Sequence, residues 1–548
     1  MNKKFIYCDL SSQVIEIKEI APELVERKAE AFSLALGLYK EYKDLSPIVI
    51  SGANLNTRLK GSNVFSIVFF SPVTKSVRYV YSNVSFGLAL SLLGYDAIVI
   101  VGHSRKLTYL EVSTEQPELK LCEQLRDSSP MRFSQIVSNL ATNEVLSIGR
   151  TGEKRVLLSS LFYNGEMDIG SYGLGAVFGE SNLKGVIVRS PQQVLSSEKS
   201  DLEYDKKIKK THVLRQMSIY GNNYMLHYGN KYGFLPLDNY CYRIDPRVMY
   251  LTGKIAYVKR MKFANTCLGC KINCNARDEN GVLLPRFEEV MSLGLNLGFF
   301  SIDHIKLLTE AVREEGLCAV ETGALLSYLK TLKKVDYTLP DLYNAPVEEF
   351  VRVIHLIGDH RVLGERLGQG LLAFPQAIQM ADGSAVLCDL RGVNLQAVFL
   401  SIGEKALCFP DLMFGLSYHG SVKSQGALAF YCQLLTHVSL ISSIPPELLT
   451  CLAFGKKYKR LLLRTTWGVN HYIKKLDKAM LKALSDNISL YRELNGEPLA
   501  IPEYFIKNPK SNKDDKTVPY NALMFYYDWA RSKLLSFLSD KDHNSARS

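Results

Sequence analysis

The chain has 548 residues. It is too long for a single hydrophobic core and, at about 150 residues per domain, predicts three or four structural units. Hydrophobic residues make up 47% and charged residues 22%, the balance of a folded globular protein. The formal net charge of +11 is modest for this length. Because no basic face is interleaved with aromatic residues, nucleic acid is not an expected partner.

Eleven cysteines are scattered along the chain, which is unlike the disulfide framework of a small secreted protein. The apolar start Phe5–Tyr7 is too short for the core of a signal peptide. The longest apolar stretch, Phe86–Val101, is broken by Gly94–Asp96 and falls short of the roughly 20 residues that span a bilayer. We therefore expect a cytoplasmic protein without a membrane partner.

The first 195 residues or so have the pattern of a β-rich region with short helices. Runs of β-branched and aromatic residues predict four strands, at Phe5–Leu10, Val64–Phe70, Ala97–Val101 and Asn182–Val188. Phe86–Leu93 has helical spacing, and Gly94 ends that helix.

Helical periodicity dominates from about residue 200 onward. The predicted helices include Ile305–Glu314, Glu321–Lys333, Leu461–Lys475 and Lys478–Leu494. We predict an α+β fold with a β-rich N-terminal domain (1–195) and two mostly helical domains (196–380 and 381–548).

The most informative motif is the run Cys267, Cys270 and Cys274, a C-x-x-C-x-x-x-C spacing. Three thiolates this close converge only around a bound partner, because burying charged sulfur alone is costly. The run supplies three corners of an iron–sulfur cube and leaves the fourth to a distant cysteine. A structural zinc site has similar spacing, and coincidence is a third explanation, so the spacing alone does not decide.

Three other stretches are candidates for chemistry. The glycine-rich run Gly170–Gly179 suits either a phosphate-binding loop or the close packing of a helix, and its spacing is wrong for a Rossmann fingerprint. Glu288 and Glu289 are either surface carboxylates or include a buried general base. Asp389–Gly392 is either an ion-paired turn or part of a ligand pocket.

Several blocks, in the same order along the chain, resemble the tungsten-containing aldehyde:ferredoxin oxidoreductase family. The blocks are Ser71–Thr74, Phe86–Gly87, Gly94–Gly102, Ser147–Gly149 with Gly152–Glu153, Gly173–Lys184, Gly233–Pro236 with Asn239–Tyr240, the cysteine run, and Ser292–Gly298. The resemblance is clear from about residue 5 to residue 323 and thins afterwards to Gly364–Gly370 and Asp389–Gly392.

The resemblance implies a tungsten or molybdenum ion held by two pterins, which oxidises an aldehyde to the acid. It also implies a 4Fe–4S cluster that passes electrons to ferredoxin. Cys267, Cys270 and Cys274 would ligate that cluster. The fourth ligand would be Cys432, with Cys408 and Cys451 as alternatives.

By the same resemblance Glu288 would be the catalytic carboxylate near the metal. The positions matched to pterin binding are Asn83, Gly170, Gly173 and Asp389. The partners implied are ferredoxin or a similar electron carrier, a small aldehyde, and either a second copy of the chain or a companion subunit.

Several departures from the family pattern affect the expected pterin site. An arginine-rich family element has become Glu166–Tyr172, so that two arginines are absent, and Cys318 stands where the family has an acidic residue. Arginine forks are what bind phosphate, so these losses weaken the expected pterin site. A non-catalytic relative that keeps the fold and perhaps the cluster is the second hypothesis, and a zinc-stabilised binding protein is the third.

Overall fold

The computed structural model describes most of the chain up to residue 374 and short pieces beyond it. The described residues are 3–374, except 23, 25–30, 54–62, 139–142, 171, 191–209, 211, 233–234, 239–243, 257–261, 265–271, 273 and 333–337, together with 389–390, 393–394, 486–487, 490 and 493–494.

A six-stranded sheet opens the fold. Its order is β2-β1-β6-β3-β4-β5, with β1 (Lys4–Asp9), β2 (Val14–Glu19), β3 (Ile48–Ser51), β4 (Phe65–Ser71), β5 (Ser76–Ser82) and β6 (Ala97–Val101). Strand β6 pairs in parallel with β1 and antiparallel with β3. All five residues of β6 are buried, as expected for a Val/Ile run inside a sheet that is covered on both faces.

A second six-stranded sheet follows. Its order is β11-β10-β9-β12-β7-β8, with β7 (Thr108–Val112), β8 (Glu118–Leu121), β9 (Asn143–Ser147), β10 (Phe162–Tyr163), β11 (Met167–Asp168) and β12 (Leu183–Arg189). The two sheets share one hydrophobic core, to which the first contributes Ile6, Phe65 and Ile98 and the second Leu110, Leu146 and Val186. All four predicted strands are confirmed, within a residue or two at their ends.

Among the described residues, five α-helices lie between these strands: α1 (Phe32–Glu41), α2 (Phe86–Leu92), α3 (Pro130–Val137), α4 (Arg150–Glu153) and α5 (Leu174–Glu180). The glycine-rich run leads into α5, which packs directly on α4. A Cβ atom at Gly179 would lie 1.8 Å from the Gly152 carbonyl oxygen, so only glycine permits this approach. The close-packing interpretation of this run is therefore confirmed for its helical half.

The chain from His212 to Phe374 is mostly helical. Its helices are α6 (His212–Tyr220), α7 (Met225–Tyr232), α8 (Gly253–Ala256), α9 (Phe287–Glu289), α10 (Ile302–Glu315), α11 (Ala319–Thr331), α12 (Val347–Asp359) and α13 (Leu363–Gly368). Two short hairpins also occur, β13 (Lys262–Ala264) with β14 (Asn275–Arg277) and β15 (Asp389–Leu390) with β16 (Val393–Asn394). The α+β class is confirmed.

Helices α10, α11 and α12 surround a second core that includes Leu308, Leu325 and Ile354. The helices predicted at 305–314 and 321–333 correspond to α10 and α11. Most of the two predicted C-terminal helices lies outside the described residues, as do the predicted boundaries at 195 and 380, so the three-domain division stays a prediction. Within the described part, no helix combines the length and apolar character needed to cross a membrane.

A buried ion pair joins α4 to the second sheet. The side chains of Lys184 on β12 and Glu153 on α4 are 0% and 3% exposed and contact each other directly. The Lys184 ammonium also donates to the Ser128 carbonyl oxygen at 2.9 Å. Burial lowers the pKa of Lys184, and Glu153 counteracts this shift. The Lys184 charge is therefore buried inside the protein, where it requires the Glu153 carboxylate as a counter-charge.

We predict that Glu153→Gln lowers the free energy of unfolding by about 3–5 kcal/mol, because it leaves the Lys184 ammonium buried without a counter-charge. Denaturant unfolding measures the loss. Glu180→Gln is the control, since Glu180 pairs with Arg155 where both side chains are more than half exposed, and it should change stability by less than about 0.5 kcal/mol. Equal effects of the two substitutions would contradict the prediction.

Candidate redox site

The cysteine run lies between two paired strands. In the hairpin β13–β14, Lys262 faces Arg277 and Ala264 faces Asn275. Cys267 and Cys270 belong to the connection between these strands and lie outside the described residues. Cys274 immediately precedes β14, is half-buried and forms no disulfide. A half-buried cysteine at the rim of a hairpin is compatible with a metal ligand.

The backbone at Cys274 is fixed by a neighbouring turn. The Asn222 N–H donates to the Cys274 carbonyl oxygen at 2.9 Å. Among the described residues, no three His, Cys, Asp or Glu side chains converge as metal ligands. Cys432, Cys408 and Cys451 lie outside the described residues, so the fourth ligand stays a prediction. The role of Asp389, which lies on β15, is also untested.

Glu288 lies in a helical segment of changing pitch. The chain runs from α9 through a π-helical turn, Val290–Gly294, into a 3₁₀ turn, Leu295–Leu297. Such π-turns are frequent at functional sites. Glu288 keeps 43% of its side chain exposed. Its Oε2 atom is nevertheless buried, accepts no hydrogen bond from a described group, and lies 3.7 Å from Arg286 Nη2.

The neighbouring Glu289 fixes this segment. Its carboxylate accepts two hydrogen bonds from the buried Arg313 of α10, at 3.0 and 2.8 Å, and one from the Arg286 N–H at 2.7 Å. Arg313 also donates to the Leu283 carbonyl oxygen at 2.7 Å. The two adjacent glutamates therefore differ in role, because Glu289 is structural and Glu288 has a carboxylate oxygen available.

The loops at one end of the N-terminal sheets meet beside the glycine-rich run. Ser71 donates its hydroxyl to the Tyr172 carbonyl oxygen at 2.8 Å. Arg78 is 5% exposed, and its guanidinium lies 5.6 Å from the Tyr172 ring centroid. Gly173 has φ +74°, and a Cβ atom there would lie 2.9 Å from Pro72 Cγ. Its left-handed backbone needs glycine, whereas its role in binding a cofactor stays a prediction.

The other two positions matched to pterin binding are Asn83 and Gly170. Asn83 follows β5 and is half-buried. A Cβ atom at Gly170 would lie 2.8 Å from the Leu174 side chain, so this glycine serves the close packing of α5. A role of either residue in binding a cofactor stays a prediction.

Asp168 on β11 binds the first turn of α11. One carboxylate oxygen accepts from the Ser160 hydroxyl and from the Gly170 N–H at 3.1 Å. The other accepts from the Ala319 N–H at 3.0 Å, and the Cys318 thiol adds a further hydrogen bond. Burial raises the pKa of Asp168 to about 6, although all four donors oppose this shift. Burial, followed by the Asp168 charge, raises the pKa of the Cys318 thiol well above its usual value.

Glu166, two residues earlier, binds the cysteine hairpin. Its two carboxylate oxygens accept from the two terminal nitrogens of Arg277, each at 2.5 Å. Both side chains are largely buried. The hairpin from Tyr163 to Asp168 therefore uses both of its carboxylates to hold elements of the helical region.

This stretch does not fit the phosphate of a pterin. The resemblance implies arginines here, and the structure has two carboxylates that repel an anion. Asp168 also accepts the hydrogen bond of the Gly170 N–H, so this donor is already used. A cofactor phosphate would have to be held by other residues.

Arg277, Ser160 and the roles of Glu166 and Asp168 were not predicted from the sequence. The acidic residues were visible only as departures from a family pattern. Arg277 gave no signal of its own, because its partner lies 111 residues earlier.

We predict that Asp168→Asn removes part of the acid dependence of stability. The pKa of Asp168 is raised to about 6 from 3.8. The contribution of Asp168 to folding stability is therefore fully present below pH 3.8 and is lost as pH rises through about 6. The melting temperature of the variant relative to wild type should therefore rise between about pH 4 and pH 7.

Asp245→Asn is the control for this pH series, because the hydrogen bond from Arg247 lowers the pKa of Asp245. Its melting temperature relative to wild type should stay nearly constant between about pH 4 and pH 7 and should rise only at lower pH, since the contribution of Asp245 is lost only as pH falls below the usual pKa of 3.8. A difference in melting temperature between Asp168→Asn and wild type that stays constant over the pH series would contradict the prediction.

Comparison with known proteins gives matches along most of the chain. Residues 5–190 match the family model of the aldehyde ferredoxin oxidoreductase N-terminal domain, and residues 200–400 match the model of domains 2 and 3 of that family. The chain has the fold of the active-site complex BamBC of benzoyl coenzyme A reductase in complex with 1,5-dienoyl-CoA. That likeness has a TM-score of 0.68 and 14% identity and covers 100% of both chains.

Among curated relatives, the tungsten-containing aldehyde ferredoxin oxidoreductases of Pyrococcus furiosus and Thermococcus kodakarensis are each 26% identical to this chain, over 405 and 412 residues. These matches cover 67% and 68% of this chain and 66% of each relative, slightly less than two thirds of their length. The WOR-like subunit of the aliphatic sulfonate oxidoreductase of Pyrococcus furiosus is 24% identical over 61% of this chain and 58% of the relative. The two family models together cover well over half of the sequence, and the chain belongs to the aldehyde ferredoxin oxidoreductase family.

Proposed function

We propose that the chain is an oxidoreductase that oxidises an aldehyde or a related carbonyl to the acid. The observation that carries this proposal is the Glu288 carboxylate, whose buried Oε2 accepts no hydrogen bond from a described group. A buried acceptor without a donor is costly unless a ligand or a proton satisfies it. Family membership and the cysteine run support the same proposal.

Glu288 would act as the base. Oxidation of an aldehyde with oxygen from water releases two electrons and two protons, and the attacking water must lose a proton. A carboxylate held by its neighbours can accept that proton. Arg286 at 3.7 Å orients the carboxylate electrostatically, and the Glu289–Arg313 pair fixes the backbone that carries it.

The electrons would leave one at a time through a 4Fe–4S cluster on Cys267, Cys270, Cys274 and Cys432. Iron–sulfur clusters are held by cysteine thiolates at this kind of spacing. Ferredoxin or a similar acidic carrier would accept the electrons, since the net charge of +11 favours encounter with an acidic partner. A tungsten- or molybdenum-pterin would supply the two-electron acceptor when bound.

The second candidate is a companion subunit that keeps the cluster and lacks the pterin. The carboxylates of Glu166 and Asp168, in place of phosphate-binding arginines, favour it. Two similar proteins are named as parts of larger enzymes, the WOR-like subunit and the BamBC complex.

Metal and pterin analysis tests both candidates. The chain, purified without oxygen, is assayed for iron, zinc, tungsten, molybdenum and extractable pterin, beside Cys270→Ala. We expect iron in the wild type. We expect its loss in Cys270→Ala, because that variant lacks one of the cysteines that would hold the cluster. Iron without pterin or heavy metal would exclude the first candidate and support the companion subunit. Zinc without iron would contradict the redox proposal.

We predict that Glu288→Gln lowers kcat for aldehyde oxidation by about 10²–10⁴-fold, the usual contribution of a positioned base. Iron content should not change, because Glu288 is not a cluster ligand. An artificial electron acceptor reports the rate. Glu310→Gln is the control, since Glu310 lies on the exposed face of α10 beside Lys306. A variant at position 288 with wild-type kcat would remove Glu288 from the mechanism.

A further inference from the structure

The ion pair between Glu166 and Arg277 links the second sheet to the cysteine hairpin. We propose that Glu166 is a positioning residue for the cluster, because through Arg277 it fixes the strand that begins directly after Cys274. The inference rests on the proposed function, in that it takes the cysteine run as the cluster site. It goes beyond that function by assigning a role to two residues outside the run.

The carboxylate is held from the sheet side. Glu166 lies in the turn between β10 and β11, and its N–H donates to the Tyr163 carbonyl oxygen at 3.1 Å. The Tyr163 backbone is paired with Leu146 on β9. The turn is therefore anchored to the second sheet. This fixes the backbone from which the Glu166 side chain extends.

The guanidinium is held from the hairpin side. Arg277 is the last residue of β14 and faces Lys262 across the hairpin. Its Nη1 also donates to the Gly281 carbonyl oxygen at 2.8 Å. The side chains of Arg277 and Glu166 are 22% and 16% exposed. Two parallel hydrogen bonds in a largely buried place fix orientation as well as distance, which a single contact does not.

Two contacts therefore define the position of Cys274. The Asn222 N–H holds its carbonyl oxygen, and the Glu166–Arg277 pair holds the other end of the three-residue strand that follows it. A cluster tolerates only small ligand displacements, because supporting groups set the orientation of the ligands and tune the metal. Loss of the pair should loosen one corner of the cluster without removing a ligand.

The chain offers a matched control. Arg150 and Glu315 also form a bidentate pair between the N-terminal region and a later helix, and Glu315 is almost fully buried. That pair lies on α4 and at the end of α10, and its further ion-pair partners among the described residues are Asp359 and His355. Arg277→Lys and Arg150→Lys therefore make the same chemical change in two similar pairs.

The experiment measures release of iron to a ferrous chelator, and the midpoint potential of the cluster, in anaerobically purified protein. Arg277→Lys and Glu166→Gln should release iron about tenfold faster than wild type, which corresponds to about 1.4 kcal/mol, and should shift the midpoint potential. Arg150→Lys should lower the melting temperature while leaving both cluster properties unchanged. The exchange Glu166→Arg with Arg277→Glu should restore slow release at least in part.

Equal acceleration by Arg277→Lys and Arg150→Lys would show a merely structural role and overturn the assignment. Wild-type behaviour of Arg277→Lys would also overturn it. Wild-type protein without iron would overturn both this inference and the proposed cluster. If the cluster is present and substitution of Arg277 changes neither iron release nor the midpoint potential, only the positioning role is wrong. Arg277→Lys keeps the charge, so the test remains valid if Glu166→Gln does not fold.

Discussion

The structure depends on charges that are buried between the N-terminal sheets and the elements packed against them. Lys184 and Glu153 pair inside the N-terminal region, and Arg150 pairs with Glu315 of α10 across its boundary. A buried charge is tolerated only when a counter-charge or several hydrogen-bond donors compensate it. Each of these groups therefore fixes the distance between the two elements that carry it, and together they fix how the helices approach the sheets.

The same constraint explains why adjacent acidic residues take different roles. Glu289 is satisfied by Arg313 and the Arg286 backbone, so it holds the helical segment in place. Glu288 has no such donor among the described residues and faces an arginine at 3.7 Å. On the sheet side, Glu166 and Asp168 each bind a different later element. In this way a stretch that departs from the arginine-rich pattern of the family links two parts of the chain.

The most apolar elements of the N-terminal fold were predictable from sequence. Ala97–Val101 is a continuous Val/Ile run. Such a run is typical of a strand in a sheet whose two faces are both covered by other elements. The family blocks were also recognisable, because each is a short run of consecutive residues. The hairpin β13–β14 was not predicted, since its strands have three residues each and carry no clear alternation. The ligands Cys267, Cys270 and Cys432 lie outside the described residues and remain predictions.

The sequence by itself determined the α+β class, four of the twelve strands in the two sheets, the cysteine spacing and, through the family resemblance, Glu288 as a candidate base. These features are local, because periodicity and motif spacing are properties of neighbouring residues. Only the tertiary structure decided that Glu166 meets Arg277 and that Asp168 meets the first turn of α11. Those partners are separated by 111 and 151 residues. Which charges find each other over such distances depends on how the sheets and helices pack, and no local pattern records it.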